Sequence, residues 1–441
     1  MMVNRVLRSV AVLLLVAAGV GASSAVSAAA GPPPQYFVDE SKLPFDAIPG
    51  ITTNRYWGVL GGAGFRIEVP QNWNGRLVMW AHGFRGTTLE LTVDNHPLRA
   101  FLVANGYAWA ASSYSRNDYD VEAGVQDTHA LVQQFNEIVG HPSRVYLTGA
   151  SMGGHVTAAA IEQYRNEYDG AMPICGVLGD HELFDFYLDY NLVAAALAGV
   201  AATFPPDPVV WTTQSVPQIT STLAGAWPSA LTVDGQHLKA MTELRSGGKR
   251  PLFDVAWLSW ASFLFQFGAL DGTVPRSPGV VVDNTDAVYQ FDTDPALSPA
   301  EQALNDDVLR VAQTPAGRVE HGMANVPVVN GTPSIPVLTL HDLGDLFVPF
   351  SMEQVYAGRV AAAGRSELVV QRAIRGVGHC DFTAEELVRG FTDLVRWVEQ
   401  GVRPPGDDVL TPAVVADPRY GCSFTTATRN FGPFSAPCPS P

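Results

Sequence analysis

A serine hydroxyl acts as a nucleophile when a base takes its proton and an acid orients that base. Gly149-Ala150-Ser151-Met152-Gly153 matches the spacing G-x-S-x-G. Alone this spacing is weak evidence, because a chain with 41 glycines can produce it by chance. Its setting is stronger. Val145-Tyr146-Leu147-Thr148 reads as a strand before it, and an alanine-rich helix follows. A tight strand-to-helix turn exposes the serine hydroxyl, and flanking glycines relieve the crowding. Ser151 is the expected nucleophile.

The base and the acid should follow the serine, each in a loop after a strand. His379 meets that requirement in Gly376-Val377-Gly378-His379-Cys380, past strand Leu368–Ala373 and ahead of a helix. Asp345 meets it in His341-Asp342-Leu343-Gly344-Asp345-Leu346-Phe347-Val348-Pro349, past strand Ile335–Leu340. Asp342 is the rival acid. His82, His155 and His341 fit a base less well, and His129, His141, His181, His237 and His321 read as structural. Two backbone N–H groups must face the developing oxyanion. Met152, directly after the nucleophile, supplies one. Phe84 in the loop Ala81-His82-Gly83-Phe84-Arg85-Gly86 supplies the other, with Gly83 as the alternative. Neutral His379 is the competent base, so activity should rise in one limb as pH passes through its pKa.

The elements that position these residues alternate. Phe65–Val69 has the polar–apolar alternation of a half-buried strand, and Leu77–Ala81 the continuous apolar run of a fully buried one. Helix Leu98–Ala104, strand Tyr107–Ser112, helix Val121–Val139, strand Arg144–Thr148, helix Met152–Tyr164 and strand Ala171–Val177 follow. This rhythm predicts a mostly parallel sheet flanked by helices. It breaks over residues 181–332, then resumes with strand Ile335–Leu340, helix Met352–Ala363, strand Leu368–Ala373 and a helix to about Gln400. Ser351 with Gln354, and Thr383 with Glu386, have capping-box spacing.

With four motifs in order, the chain resembles the α/β-hydrolase superfamily, specifically its capped, exported bacterial esterase-like members. The motifs are the His82-Gly83 loop, the Ser151 elbow, the Asp345-x-x-Val348-Pro349 acid loop and the Gly378-His379 loop, within about residues 55–180 and 333–400. The resemblance implies an α/β-hydrolase fold whose large, mainly helical cap precedes the acid-bearing strand. It also implies a serine hydrolase acting on esters, amides, peptides or related bonds, without fixing which. One departure stands out: the acid loop usually reads H-G-x-x-D, and Asp342 occupies the glycine position.

Boundaries follow from these readings: a signal peptide over 1–30, core over 31–180, cap over 181–332, core over 333–404 and an irregular tail over 405–441. The cap segment contains Trp211, Trp227, Trp257, Trp260, Phe263, Phe265 and Phe267. Some of these rings are expected to line a pocket for a bulky apolar substrate, and most to form the cap's own core. The leading function is a carboxylic ester hydrolase on a small-molecule or polymer ester. Peptide or amide cleavage is the alternative, and a non-catalytic ligand-binding protein the distant one.

Composition narrows the partners. The 47% apolar and 16% charged content of 441 residues suits a large buried core. A formal charge of −16 without basic runs argues against nucleic acid. Arg5 and Arg8 before the uncharged run Val10–Ala22, with small residues after it, read as an export signal too short for a stable anchor. No cofactor or metal is expected: no zinc-like His/Cys spacing occurs, and Asp283, Asp286, Asp292 and Asp294 do not match a calcium loop. Four cysteines allow three pairings. If the strands before Cys175 and Cys380 end on the same side of a parallel sheet, those two can meet. Cys422 and Cys438 would then staple the tail by closing a loop of about 15 residues. Oligomeric state is not legible.

Overall fold

Alternating side chains along the central strands send apolar groups to both faces, so the sheet must be covered on both sides. Leu77, Met79 and Ala81 enter one core cluster, while Val78 and Trp80 enter the other. The computed structural model describes residues 35–274, 279–319, 322–426 and 438–439. The segment read as an export signal, with Arg5 and Arg8, and His321 lie outside the described residues.

Eight strands form the main sheet: β1 (Thr53–Leu60), β2 (Ala63–Pro70), β3 (Arg76–Ala81), β4 (Ala108–Ser112), β5 (Arg144–Ala150), β6 (Gly170–Ile174), β7 (Val337–Asp342) and β8 (Val369–Ile374). Their spatial order is β8-β7-β6-β5-β3-β4-β2-β1. The pairs β1–β2 and β2–β4 are antiparallel, and every other pair is parallel. Helices α1 (Arg99–Ala104), α2 (Val121–Ile138) and α3 (Met152–Gln163) belong to the first half of the core. Helices α4 (Glu182–Leu197), α5 (Val216–Leu223), α6 (Val233–Arg245), α7 (Phe253–Leu264) and α8 (Pro299–Asp307) lie between β6 and β7. Helices α9 (Ser351–Ala362) and α10 (Ala384–Gln400) complete the second half.

The expected alternation is present, with corrections at its ends. β7 runs to Asp342, because its parallel register with β8 holds through the pair Asp342–Ile374. Asp342 therefore ends a strand instead of sitting in the loop. β6 stops at Ile174, because Cys175 turns the chain with a φ of 44°. Ser351 and Gln354 form no capping box. Phe350 already has helical angles, and the amides of Met352 and Glu353 donate to Pro349 and Phe350 carbonyls. Gln354 donates instead to the Gly247 and Val409 carbonyls. The second capping box is formed: Thr383 accepts from the Glu386 amide while Glu386 accepts from the Thr383 amide. Among the described residues of the tail, one short helix, Pro412–Val415, interrupts irregular backbone.

The long segment between β6 and β7 closes on itself at its base. Asp180 begins it with a φ of 46° and accepts from the Val329 amide, near its far end, at 2.9 Å. Arg359 of α9 pairs with the same carboxylate. Burial opposes the Asp180 charge, but hydrogen bonds from His181 and Arg359 outweigh it and hold the pKa down at about 2. A carboxyl depressed on folding contributes stability above its unfolded value of about 4, and that stability fades as pH falls toward 2. Arg359→Met is therefore expected to cost about 2–3 kcal/mol at pH 7. Urea titrations should show variant and parent converging as pH approaches 2. Equal stability at pH 7 would contradict the pairing.

Candidate active site

The sheet register places five loop starts side by side. Ala81 pairs with Gly149, Ala150 with Ile174, Ile174 with Leu340, and Asp342 with Ile374. The loops after β3, β5, β6, β7 and β8 therefore leave one edge, at the carboxyl ends of the strands. In open α/β sheets that edge is where ligands bind.

Ser151 occupies the turn between β5 and α3 with φ 58° and ψ −123°. A non-glycine residue there is strained by about 1–3 kcal/mol and persists only when its surroundings fix it. Here they do. The Ser151 amide donates to the Ile174 carbonyl at 3.0 Å, and the Ser151 carbonyl accepts from Gly154 at 2.9 Å. The turn also presses against β3: a β-carbon on Gly153 would stand 2.0 Å from the Ala81 carbonyl oxygen. Only glycine fits that approach.

Met152 is the first residue of α3, so its N–H has no partner within the helix and faces outward from the N-terminus. On the β3 loop, a β-carbon on Gly83 would lie 3.1 Å from Ser151 Cβ, so this backbone touches the serine turn. His82 Nδ1 is 2.7 Å from the Gly83 carbonyl oxygen, and its Nε2 is 3.0 Å from that of Ser113. The ring stacks on Tyr114 at 3.8 Å, whose hydroxyl donates to the His82 carbonyl. Burial pushes the His82 pKa down to about 3; a neutral ring donates to only one of the Gly83 and Ser113 carbonyls, and the shorter contact is the one to Gly83. In a trans peptide the N–H opposes the C=O, so fixing the Gly83 carbonyl also fixes the Phe84 N–H. His82 thus braces the backbone of the loop after β3 and is not placed as a base.

His379 and Asp345 are brought together. His379 Nδ1 lies 2.6 Å from Asp345 Oδ2, with Asp345 fully buried and the imidazole partly exposed. The other Asp345 oxygen accepts from the amides of Phe347 and Val348 at 2.9 and 3.0 Å. A carboxylate so held can orient an imidazole and stabilise its charged form. Asp342, the rival, points elsewhere. Its Oδ2 accepts from the Asp381 amide at 2.8 Å, and a β-carbon on Gly376 would stand 2.1 Å from its Oδ1. Asp342 is buried inside the loop that carries His379, where a glycine would leave a gap. This is the physical use of the departure noted in the acid loop.

Behind the acid turn, His341 hydrogen bonds the Val348 carbonyl at 2.8 Å and lies 3.3 Å from Glu353. Burial works against its charge, but Glu353 outweighs burial and raises its pKa. His155 is spent on Tyr119 and the Pro327 carbonyl. Asp283, Asp292 and Asp294 accept from backbone amides of their own neighbouring turns.

Both expected disulfides are present, Cys175–Cys380 and Cys422–Cys438, with Cα separations of 5.3 and 5.8 Å. The first joins the residue after Ile174, which anchors Ser151, to the residue after His379. Cys380 Sγ lies 3.5 Å from His379 Nε2. Bonded to each other, these two sulfurs are not thiolate ligands for a metal.

Aromatic rings crowd His379. Phe347 meets His379 edge to face at 4.9 Å. The rings of Tyr187, Phe267 and Trp260 lie within 20° of parallel to Phe347, and Phe263 stands perpendicular to it. Of the cap aromatics singled out in the sequence, Trp211, Trp257 and Phe265 are buried in the core, while Trp260, Phe263 and Phe267 remain partly exposed. Phe347, Tyr187 and Arg250 carry no sequence signal of their own. Phe347 sits inside the acid motif, and Tyr187 inside an unremarkable helix.

This strand order, with a strained serine at a strand-to-helix turn, is that of the α/β-hydrolase fold. The chain is similar to an o-phthalyl amidase from Xanthobacter agilis, at 23% identity over 78% of this chain and 86% of that one. Among solved structures it is similar to feruloyl esterase B from Aspergillus oryzae, at 15% identity and a TM-score of 0.47, covering 84% of this chain and 85% of that chain. It is also similar to the Pyrococcus horikoshii acylaminoacyl peptidase, at 9% identity and a TM-score of 0.39, covering 82% and 44%. The relatives are hydrolases. No protein-family model matches the chain.

Proposed function

We propose that this protein is an exported serine hydrolase that cleaves carboxylic esters with a bulky apolar group, with residues 181–332 acting as its cap. The observation that carries the reading is the strained Ser151 on the same strand edge as the 2.6 Å His379–Asp345 pair. In this scheme His379 takes the Ser151 proton as the hydroxyl attacks the ester carbonyl. The Met152 and Phe84 N–H groups receive the oxyanion, and the imidazolium protonates the leaving alcohol. Water activated by the same imidazole then releases the acid. The ring cluster around Phe347 supports an apolar substrate, and two disulfides fit an oxidising compartment. Nothing in this scheme calls for a metal, cofactor, nucleic acid or membrane anchor, and among the described residues no helix is long and apolar enough to cross a membrane.

Amide cleavage is the second reading, and the similarity to an amidase favours it. Turnover of p-nitrophenyl acetate and benzoate beside the matching p-nitroanilides separates the two. The ester reading expects kcat/KM to be highest for the benzoate ester, unchanged by EDTA. Anilide turnover matching the esters would favour the amidase, and loss with EDTA restored by one metal ion would contradict both.

A further inference from the structure

The segment between β6 and β7 does more than adjoin the site. Three of its side chains each donate to a backbone carbonyl two residues from the acid or the base. Arg250 Nε, between α6 and α7, reaches the Leu343 carbonyl at 2.8 Å, two residues before Asp345. The Tyr187 hydroxyl, on α4, reaches the Phe347 carbonyl, two residues after Asp345. Trp260 Nε1, on α7, reaches the Val377 carbonyl at 2.8 Å, two residues before His379. The backbone of Ser246 and the Gln354 side chain add two more ties between this segment and the start of α9.

These donors come from side chains with little freedom. Tyr187 is buried and stacks on Phe267 at 3.8 Å with planes 4° apart. Arg250 is buried, gives further hydrogen bonds to the Gly248 carbonyl and Ser246 hydroxyl, and packs over Phe253. Burial lowers its pKa only to about 10, so it stays charged at neutral pH. A charged donor makes the stronger hydrogen bond. The carbonyls they hold belong to turn backbone, which the core ties through the Leu343 and Gly344 amides on the Ile374 and Gly376 carbonyls and through the Cys175–Cys380 bridge. The three donors add a second set of ties from the other side, so the positions of Asp345 and His379 are set by core and inserted segment together.

We infer that Tyr187, Arg250 and Trp260 are positioning residues for the acid and the base, so that the cap is part of the catalytic assembly and not only a cover. Tyr187 and Trp260 also belong to the ring cluster beside His379. Substrate held against those rings presses on the side chains that hold the acid and base loops, coupling apolar binding to catalytic geometry. The inference rests on the Ser151–His379–Asp345 reading.

The test is steady-state kinetics of Tyr187→Phe, Trp260→Phe and Arg250→Lys on p-nitrophenyl acetate, a substrate too small to need the rings, with Ser151→Ala assayed beside them. Tyr187→Phe keeps the ring and loses only the donor, while Trp260→Phe loses the donor together with part of the indole's packing surface. Small misplacements of catalytic groups are costly, so kcat should fall about tenfold or more while KM stays within about twofold. Phe263→Leu removes a ring without a donor and should act on KM for the benzoate ester. Melting curves identify any variant that fails to fold, and the remaining donors then decide. Unchanged kcat on acetate in the folded variants, with effects confined to KM for the benzoate, would overturn the inference. If those variants are unaffected while Ser151→Ala is inactive, only the positioning role is lost. An active Ser151→Ala would remove the reading beneath it.

Discussion

Ser151→Ala is expected to lower kcat by about 10⁴-fold or more without unfolding the protein. The hydroxyl is the atom that attacks, and what remains comes from the oxyanion donors and from binding. Stability should barely move, because alanine accepts the same φ of 58° at a similar strain and no buried hydrogen bond is lost. Ser151→Gly sharpens the expectation. It should be as inactive, yet about 1 kcal/mol more stable, because glycine adopts this backbone freely. Loss of activity together with stability in both variants would mean that the turn is a structural feature and not a nucleophile elbow.

The second large effect separates two aspartates three positions apart. Asp345→Asn should lower kcat by about 10³–10⁴-fold, because the amide presents the wrong partner to His379 Nδ1. Asp342→Asn should remain within about tenfold of the parent, since an amide oxygen still accepts from the Asp381 N–H. Asp342→Ala should be worse than Asp342→Asn, because it removes the acceptor and opens a gap against Gly376. If Asp342→Asn proves more damaging than Asp345→Asn, the acid has been assigned to the wrong residue.

The order of strands and helices was legible because each core element carries its own period. Leu77–Ala81 and Val145–Thr148 are apolar runs flanked by turn residues, and the glycines around Ser151 mark a close approach. Asp345 and His379 were legible because topology requires them after particular strands. The disulfides followed from the same edge. What escaped were features set by tertiary partners. The end of β7 is fixed by its register with β8, which carries Asp342 out of the loop. The start of α9 is capped by backbone carbonyls of the preceding turn, so Ser351 and Gln354 keep a capping-box spacing without its geometry. Tyr187, Arg250 and Trp260 act through hydrogen bonds spanning 93 to 160 positions, and no local pattern encodes such a partner.

That long-range wiring changes what the segment between β6 and β7 is expected to do. Read from sequence, it lies apart from the three catalytic candidates, so replacing it should alter substrate choice more than chemistry. In the structure, its side chains hold carbonyls on either side of Asp345 and just ahead of His379. Deleting it would remove these three ties from both loops. Point substitutions, and not truncation, are therefore the informative way to examine this segment.

The central claim is that Ser151 is a nucleophile activated by His379, and covalent labelling tests it most directly. The native protein is treated with an alkyl fluorophosphonate at pH 8, digested, and mapped by mass spectrometry. The expected result is a single stoichiometric adduct on the peptide containing Gly149–Gly153, formed at a rate that falls by orders of magnitude in His379→Ala and absent from Ser151→Ala. Full turnover of a p-nitrophenyl ester by a protein whose Ser151 peptide stays unmodified, or equal labelling in His379→Ala, would contradict it.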